Sequence, residues 1–251
     1  VNGPLEGSVY VVTGGTRGLG FATAALLLER GARVVVSGRH QEGVDAAVTR
    51  LGEGARGLAA DSASPDAAAG LVELARSAFG RLDGALISVG GPPTGTVMET
   101  PDAAWTAAFE SVFLGAVRTA RTVAEAISGP GSIAFVLSSS VRAPLANLAV
   151  SNGLRPGLAM VAKTLADELG PRAIRVNGLL PGRIATDRLA ELDAGTGDGE
   201  AAKARAIESI PLGRYGEPAE FAEAAAFLLS PQSSFVTGVM LPVDGGMLRA
   251  L

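Results

Sequence analysis

Val9-Tyr10-Val11-Val12-Thr13-Gly14-Gly15-Thr16-Arg17-Gly18-Leu19-Gly20 reads as a buried strand, a glycine-rich turn and the opening of a helix. An unbroken run of β-branched and aromatic residues fits a strand covered on both faces. Glycines directly after it let the backbone approach a ligand closely and let the next helix pack tightly on the sheet. The N–H groups at that helix start, with the helix dipole behind them, suit a pyrophosphate. Spaced glycines alone would say little in a chain with 34 of them. Their place between the first strand and the first helix carries the reading. Gly14, Thr16, Arg17, Gly18, Leu19 and Gly20 are therefore candidate dinucleotide contacts.

The same alternation continues outward. Apolar runs recur at 33–37, 57–60, 85–89, 133–137, 174–180 and 239–243. Helical patterns lie between them at 19–30, 41–51, 65–79, 103–127, 158–169 and 218–229. Ser64-Pro65-Asp66 supplies a cap, a first-turn proline and an acid for the helix that follows. Gly31 and Gly170 stand where helices should stop. Strands alternating with helices predict an α/β fold: one Rossmann-type, doubly wound domain over 1–251, with about seven parallel strands and helices on both faces. The stretch 186–210 is rich in Gly, Ala and charge, with an indistinct pattern. It is expected to be a mobile substrate lid.

Composition narrows the function. With 21 Lys+Arg against 25 Asp+Glu the net charge is −4, and there are one Trp and two Tyr, which speaks against a nucleic-acid surface. No cysteine and one histidine leave no thiolate metal site and no multi-histidine site, so no metal is expected. No apolar run approaches the roughly 18 residues of a membrane span, and the first residues lack a secretion-signal layout. The expectation is a cytoplasmic protein with neither nucleic-acid nor membrane partners.

The end of the second strand bears on the coenzyme. A ribose 2′-hydroxyl wants a carboxylate there, whereas a 2′-phosphate wants cations. The residues are Ser37-Gly38-Arg39-His40, without an acid. Arg39, Arg17 and the Ser37 hydroxyl suit a phosphate dianion, so NADP(H) is favoured over NAD(H). His40 is expected in an exposed loop.

Thr13-Gly14-x-x-x-Gly18-x-Gly20 resembles the coenzyme signature of the short-chain dehydrogenase/reductase family. Pro211-Leu212-Gly213-Arg214-Tyr215-Gly216-Glu217-Pro218, Thr237-Gly238 and Val243-Asp244-Gly245-Gly246 resemble the C-terminal signature of its 3-oxoacyl-acyl-carrier-protein reductase branch. The resemblance implies adenine contacts at Asp61 and Ser62, a turn near the coenzyme at Gly90, and nicotinamide contacts at Pro181, Gly182, Ile184 and Thr186. It also implies an Asn-Ser-Tyr-Lys tetrad. Ser138 aligns with the family serine, but Ser151 and Arg155 stand at the tyrosine and lysine places, within Ser151-Asn152-Gly153-Leu154-Arg155. Val112 stands at the asparagine place, and Ile87-Ser88-Val89-Gly90 replaces an Asn-Asn-Ala-Gly turn. The pattern is similar to an atypical branch with Ser-Asn-x-x-Arg at this position.

Three roles are compatible with these residues. The first is NADP(H)-dependent interconversion of a small-molecule carbonyl and alcohol: Ser138 and Arg155 polarise the carbonyl, and a water held by Ser151 delivers the proton. The second is a non-catalytic dinucleotide-binding scaffold or sensor, with Ser151 a cap and Arg155 structural. The third is non-redox lyase or isomerase chemistry on the same fold. Ser151 and Arg155 share a helix face if that segment is helical, while Pro156 favours a place near the helix start. Tyr10 and Tyr215 are not substitutes for the missing phenol. Trp105 and Phe109 are expected to pack rather than bind ligand, on a helix that in the family lies in a homodimer or homotetramer interface.

Overall fold

The apolar runs form strands because both of their faces are covered. In the computed structural model, which describes residues 4–195 and 197–249, the strands make one sheet. They are β1 (Val9–Val12), β2 (Arg33–Gly38), β3 (Ala55–Ala59), β4 (Gly84–Ile87), β5 (Gly131–Val136), β6 (Ile174–Pro181) and β7 (Met240–Val243). Their order is β3-β2-β1-β4-β5-β6-β7, parallel throughout. The order reverses between β1 and β4, which opens a crevice at their C-terminal ends.

The helices are α1 (Gly18–Glu29), α2 (Gln41–Leu51), α3 (Ala67–Phe79), α4 (Asp102–Ala108), α5 (Gly115–Ala126), α6 (Ala149–Leu169), α7 (Asp187–Ala194), α8 (Gly199–Glu208) and α9 (Pro218–Leu229). Alternate strand residues feed two cores. Val11, Val35, Ile87 and Phe135 meet α3, α5 and α6 on one face. Val12, Val34, Leu86 and Leu179 meet α1 and α9 on the other. Each fully buried aliphatic or aromatic side chain contributes about 1.5–3 kcal/mol. At the end of the sheet away from the crevice, Arg175 donates to the carbonyls of Leu228 and Ser230, closing the C-terminus of α9.

Element bounds differ from the expected ones in places. The third helix starts at Ala67 rather than at 65, because Ser64 and Asp61 close a turn first. The helix α6 stops at Leu169 with Gly170 as its cap, where the glycine is expected to end it; the left-handed residue that follows is Ala173, at φ 56°. The 103–127 pattern is not one helix: Phe109–Leu114 is a π segment between α4 and α5. The 186–210 stretch, whose helical pattern is indistinct in the sequence, forms α7 and α8, capped by the side chains of Thr186 and Asp198. Thr196, inside that stretch, lies outside the described residues. No described helix is long and apolar enough to cross a membrane.

Candidate active site

The glycine turn is built for close approach. Gly14 has φ +59°, and a Cβ there would sit 2.6 Å from the Ser88 carbonyl oxygen. A Cβ on Gly20 would collide with the carbonyl of Gly14. The Thr13 hydroxyl donates to the Ser88 carbonyl at 2.9 Å and accepts from the Ser88 N–H at 2.8 Å, fixing β1 to the segment after β4. Arg17, the N-cap of α1, offers no side-chain cap. The first N–H groups of α1 thus retain donor capacity for an anion, so the turn fits a dinucleotide pyrophosphate.

Of the other expected coenzyme residues, Ser37 and Thr186 lie directly against this turn. Thr16 packs on Gly38, where a Cβ would lie 2.6 Å away. Leu19 packs against the α1–α9 core. Ser37 is buried and its carbonyl accepts from the Gly15 N–H at 2.9 Å. Arg39 and His40 are exposed, and Arg39 has no ion-pair partner among the described residues. Asp61 Oδ1 accepts from the Ala63 N–H, and the Ser62 carbonyl lies against Gly115. Gly90 borders open space. Pro181 ends β6, Gly182 packs on Asp244, and Ile184 bridges to Gly216. The methyl of Thr186 would be 3.5 Å from a Cβ on Gly18, so the start of α7 lies over the turn.

The sequence Ser151-Asn152-x-x-Arg155 is helical, in the first two turns of α6, with Pro156 inside the helix rather than at its entry. Each of the three polar residues grips a different part of the β5–α6 connection. Ser151 Oγ lies 3.1 Å from Ser140 Oγ. Asn152 accepts from the Leu145 N–H at 3.0 Å and donates to its carbonyl at 2.8 Å. Arg155 Nη1 donates to the Val136 carbonyl at 2.6 Å. Ser138 Oγ accepts from the Ser140 N–H, capping the short turn Ser139–Val141. Its hydroxyl proton remains free to donate elsewhere. Arg155 is 5% exposed, and burial lowers its pKa to about 10.

Several participants, among them Ser140, Arg188, Glu191 and Asp193, were not singled out by the sequence. For Ser140 the run of three serines from Ser138 was the only signal. Val112 packs with Val150, Ala108, Val89, Trp105 and Leu154 behind the site. On α7, Arg188 donates to the Pro92 carbonyl at 3.0 Å, and Glu191 pairs with both Arg17 and Arg188. The hydroxyl of Tyr215 and the guanidinium of Arg183 both bond Asp193 at the end of α7. Tyr10 donates to the Leu229 carbonyl inside the core. Among the described residues no group of three His, Cys, Asp or Glu could hold a metal.

Comparison with known proteins is consistent along the whole chain. Residues 14–248 match the family described as enoyl-(acyl carrier protein) reductase. The chain belongs to the short-chain dehydrogenase/reductase family. Among members of this family, the 3-oxoacyl-[acyl-carrier-protein] reductase FabG of Vibrio cholerae is 29% identical over 245 residues, covering 97% of this chain and 98% of the relative. The L-sorbose reductase of Gluconobacter frateurii, solved with NADPH and L-sorbose, superposes with a TM-score of 0.93 at 31% identity over 100% of both chains. The 3-ketoacyl-(acyl-carrier-protein) reductase of Brucella melitensis, solved with NADH, gives 0.88 at 31% identity, covering 97% and 99%. These short-chain dehydrogenase/reductases are oxidoreductases, and this chain shares their fold from end to end.

Proposed function

We propose that the chain is an NADP(H)-dependent oxidoreductase that interconverts a carbonyl and an alcohol with an altered tetrad. The observation that carries this reading is the Arg155 guanidinium, buried at the C-terminal end of β5 and bonded to Val136, two residues before Ser138. Gly14, Gly18, Leu19 and Gly20 would hold the pyrophosphate, Asp61 and Ser62 the adenine, and Pro181 to Thr186 the nicotinamide. Arg39 and Arg17 favour a 2′-phosphate. When bound, the coenzyme supplies the hydride.

The chain's own residues supply position and charge. Ser138, already an acceptor for the Ser140 N–H, donates its proton toward the substrate oxygen. Arg155 stabilises the negative charge that develops there. A serine acts as a poor acid, since its hydroxyl lacks the phenol's pKa near 10. Proton delivery therefore falls to a water bonded to Ser151, whose oxygen keeps capacity beyond its bond to Ser140. The α7–α8 segment acts as the lid, latched by Arg188 and Glu191. A cytoplasmic homodimer or homotetramer goes with this reading, and sedimentation of the pure chain tests the assembly.

The bonds of Ser151, Asn152 and Arg155 to the β5–α6 connection favour a second reading, a dinucleotide-binding scaffold or sensor. NADPH titration followed by steady-state oxidation over a ketone panel separates the two. The enzyme reading expects turnover that falls roughly 10²-fold or more in Ser138→Ala and Arg155→Ala. Tight NADPH binding without turnover on any ketone establishes the scaffold.

A further inference from the structure

Arg155 is a buried cation without a counter-ion. No carboxylate is within ion-pair reach of it among the described residues. Its one protein acceptor is the neutral carbonyl of Val136. Taking a guanidinium out of water without an opposite charge is costly, and proteins keep such groups where a ligand completes them.

The carbonyl that Arg155 bonds lies at the crevice end of the sheet. The Leu137 N–H donates to Leu179 on β6, so the carbonyl of the same trans peptide, Val136 C=O, points the other way, toward β4. Arg155 therefore reaches the open C-terminal boundary between β4 and β5. Among the described residues, no fully buried side-chain nitrogen lacks a partner. Nε and Nη2 of Arg155 have no partner among the described residues, so each keeps some of the residue's 5% exposure. Two adjacent N–H groups of a planar fork match the two oxygens of a carboxylate. On the opposite side, Arg188 of α7 covers the segment after β4, bonding Pro92 and lying 3.0 Å from a Cβ on Gly91.

We infer that the substrate carries a carboxylate close to its reacting oxygen, and that Arg155 binds the carboxylate through Nε and Nη2 while its charge also steadies the neighbouring oxygen, which makes the substrate class the oxo acids and hydroxy acids. This rests on the oxidoreductase reading for the reaction, but not for the binding. The test therefore measures binding and turnover separately. Calorimetry on the NADPH-loaded chain, with 2-oxobutanoate, acetoacetate and levulinate against their methyl esters, reads the charge preference directly. At least one acid should bind about a hundredfold more tightly than its ester. Arg155→Met should reduce that ratio to near unity, and Arg155→Lys should keep part of it.

Turnover of the same pairs is then compared. Acid binding with preference but no turnover supports the carboxylate site and overturns the enzyme reading. Equal use of acid and ester overturns the carboxylate site and leaves the enzyme reading standing. Failure of every acid to bind overturns the site. So does an Arg155→Met protein that weakens NADPH while leaving the acid–ester ratio intact. The wild-type comparison needs no variant to fold.

Discussion

The hydroxyls of Ser140 and Ser151 lie 3.1 Å apart, both residues almost fully buried, joining the turn after β5 to the first turn of α6. A hydroxyl left alone in such a place loses its partner without gaining water. Ser140→Ala should therefore lower unfolding free energy by about 1–3 kcal/mol. The Ser140→Ala/Ser151→Ala pair should fall short of the sum of the single changes, as read by urea titration in a double-mutant cycle. Additive losses would show that the bond is not made.

Asn152 spans both backbone groups of Leu145. Asn152→Asp keeps the acceptor for the N–H but sets a carboxylate against the Leu145 carbonyl. The expected outcome is faster proteolytic nicking in the loop that holds Leu145 and a loss of about 1–3 kcal/mol. Unchanged cleavage would mean that the loop is held by other contacts.

The charge on Arg155 serves ligand binding at the expense of stability. Arg155→Met removes a desolvated cation and one hydrogen bond, so thermal stability should stay level or rise while turnover falls. Differential scanning calorimetry beside kinetics checks this, and a strongly lowered Tm would mark Arg155 as a structural strut. Burial lowers its pKa to about 10, below the ordinary guanidinium value. Anion binding should therefore be flat up to about pH 9 and weaken as pH passes about 10. The folded protein gives up this proton first. Above about pH 10, and up to the ordinary guanidinium pKa, stability from this group rises with pH, because the unfolded chain binds more protons there.

Glu191 pairs with Arg17 at 3.7 Å, and both side chains are more than half exposed. Glu191→Gln should leave stability nearly unchanged and raise the preference for NADPH over NADH by a few-fold at low salt. Fluorescence titration with both coenzymes checks it. No change would show that Arg17 takes no part in reading the 2′-phosphate.

Much of this architecture was legible because burial on two faces leaves continuous apolar runs. The strands at 9–13, 33–37, 133–137 and 174–180 each lie within a few residues of β1, β2, β5 and β6. The start of α6 was not legible. The helical pattern reads from 158 with Pro156 near its start, yet the helix begins at Ala149. The glycines are there for packing: a Cβ on Gly153 would meet Trp105 at 2.8 Å, and one on Gly157 would meet Phe113 at 3.2 Å. Tertiary bonds from Ser151, Asn152 and Arg155 hold the turn that local propensity disfavours. The π segment was hidden for a different reason, since its side chains continue the helical alternation of their neighbours. The coenzyme turn could be read from spacing, whereas the partners of Arg155 could not, because a guanidinium's reach across a sheet leaves no periodic trace.

One carboxylate on α7 ties together two distant pieces of the molecule. Glu191 steadies the guanidinium at the head of α1 and, through Arg188, the covering over Pro92. A lone change of charge on that helix would therefore be felt both at the glycine turn and at the segment after β4.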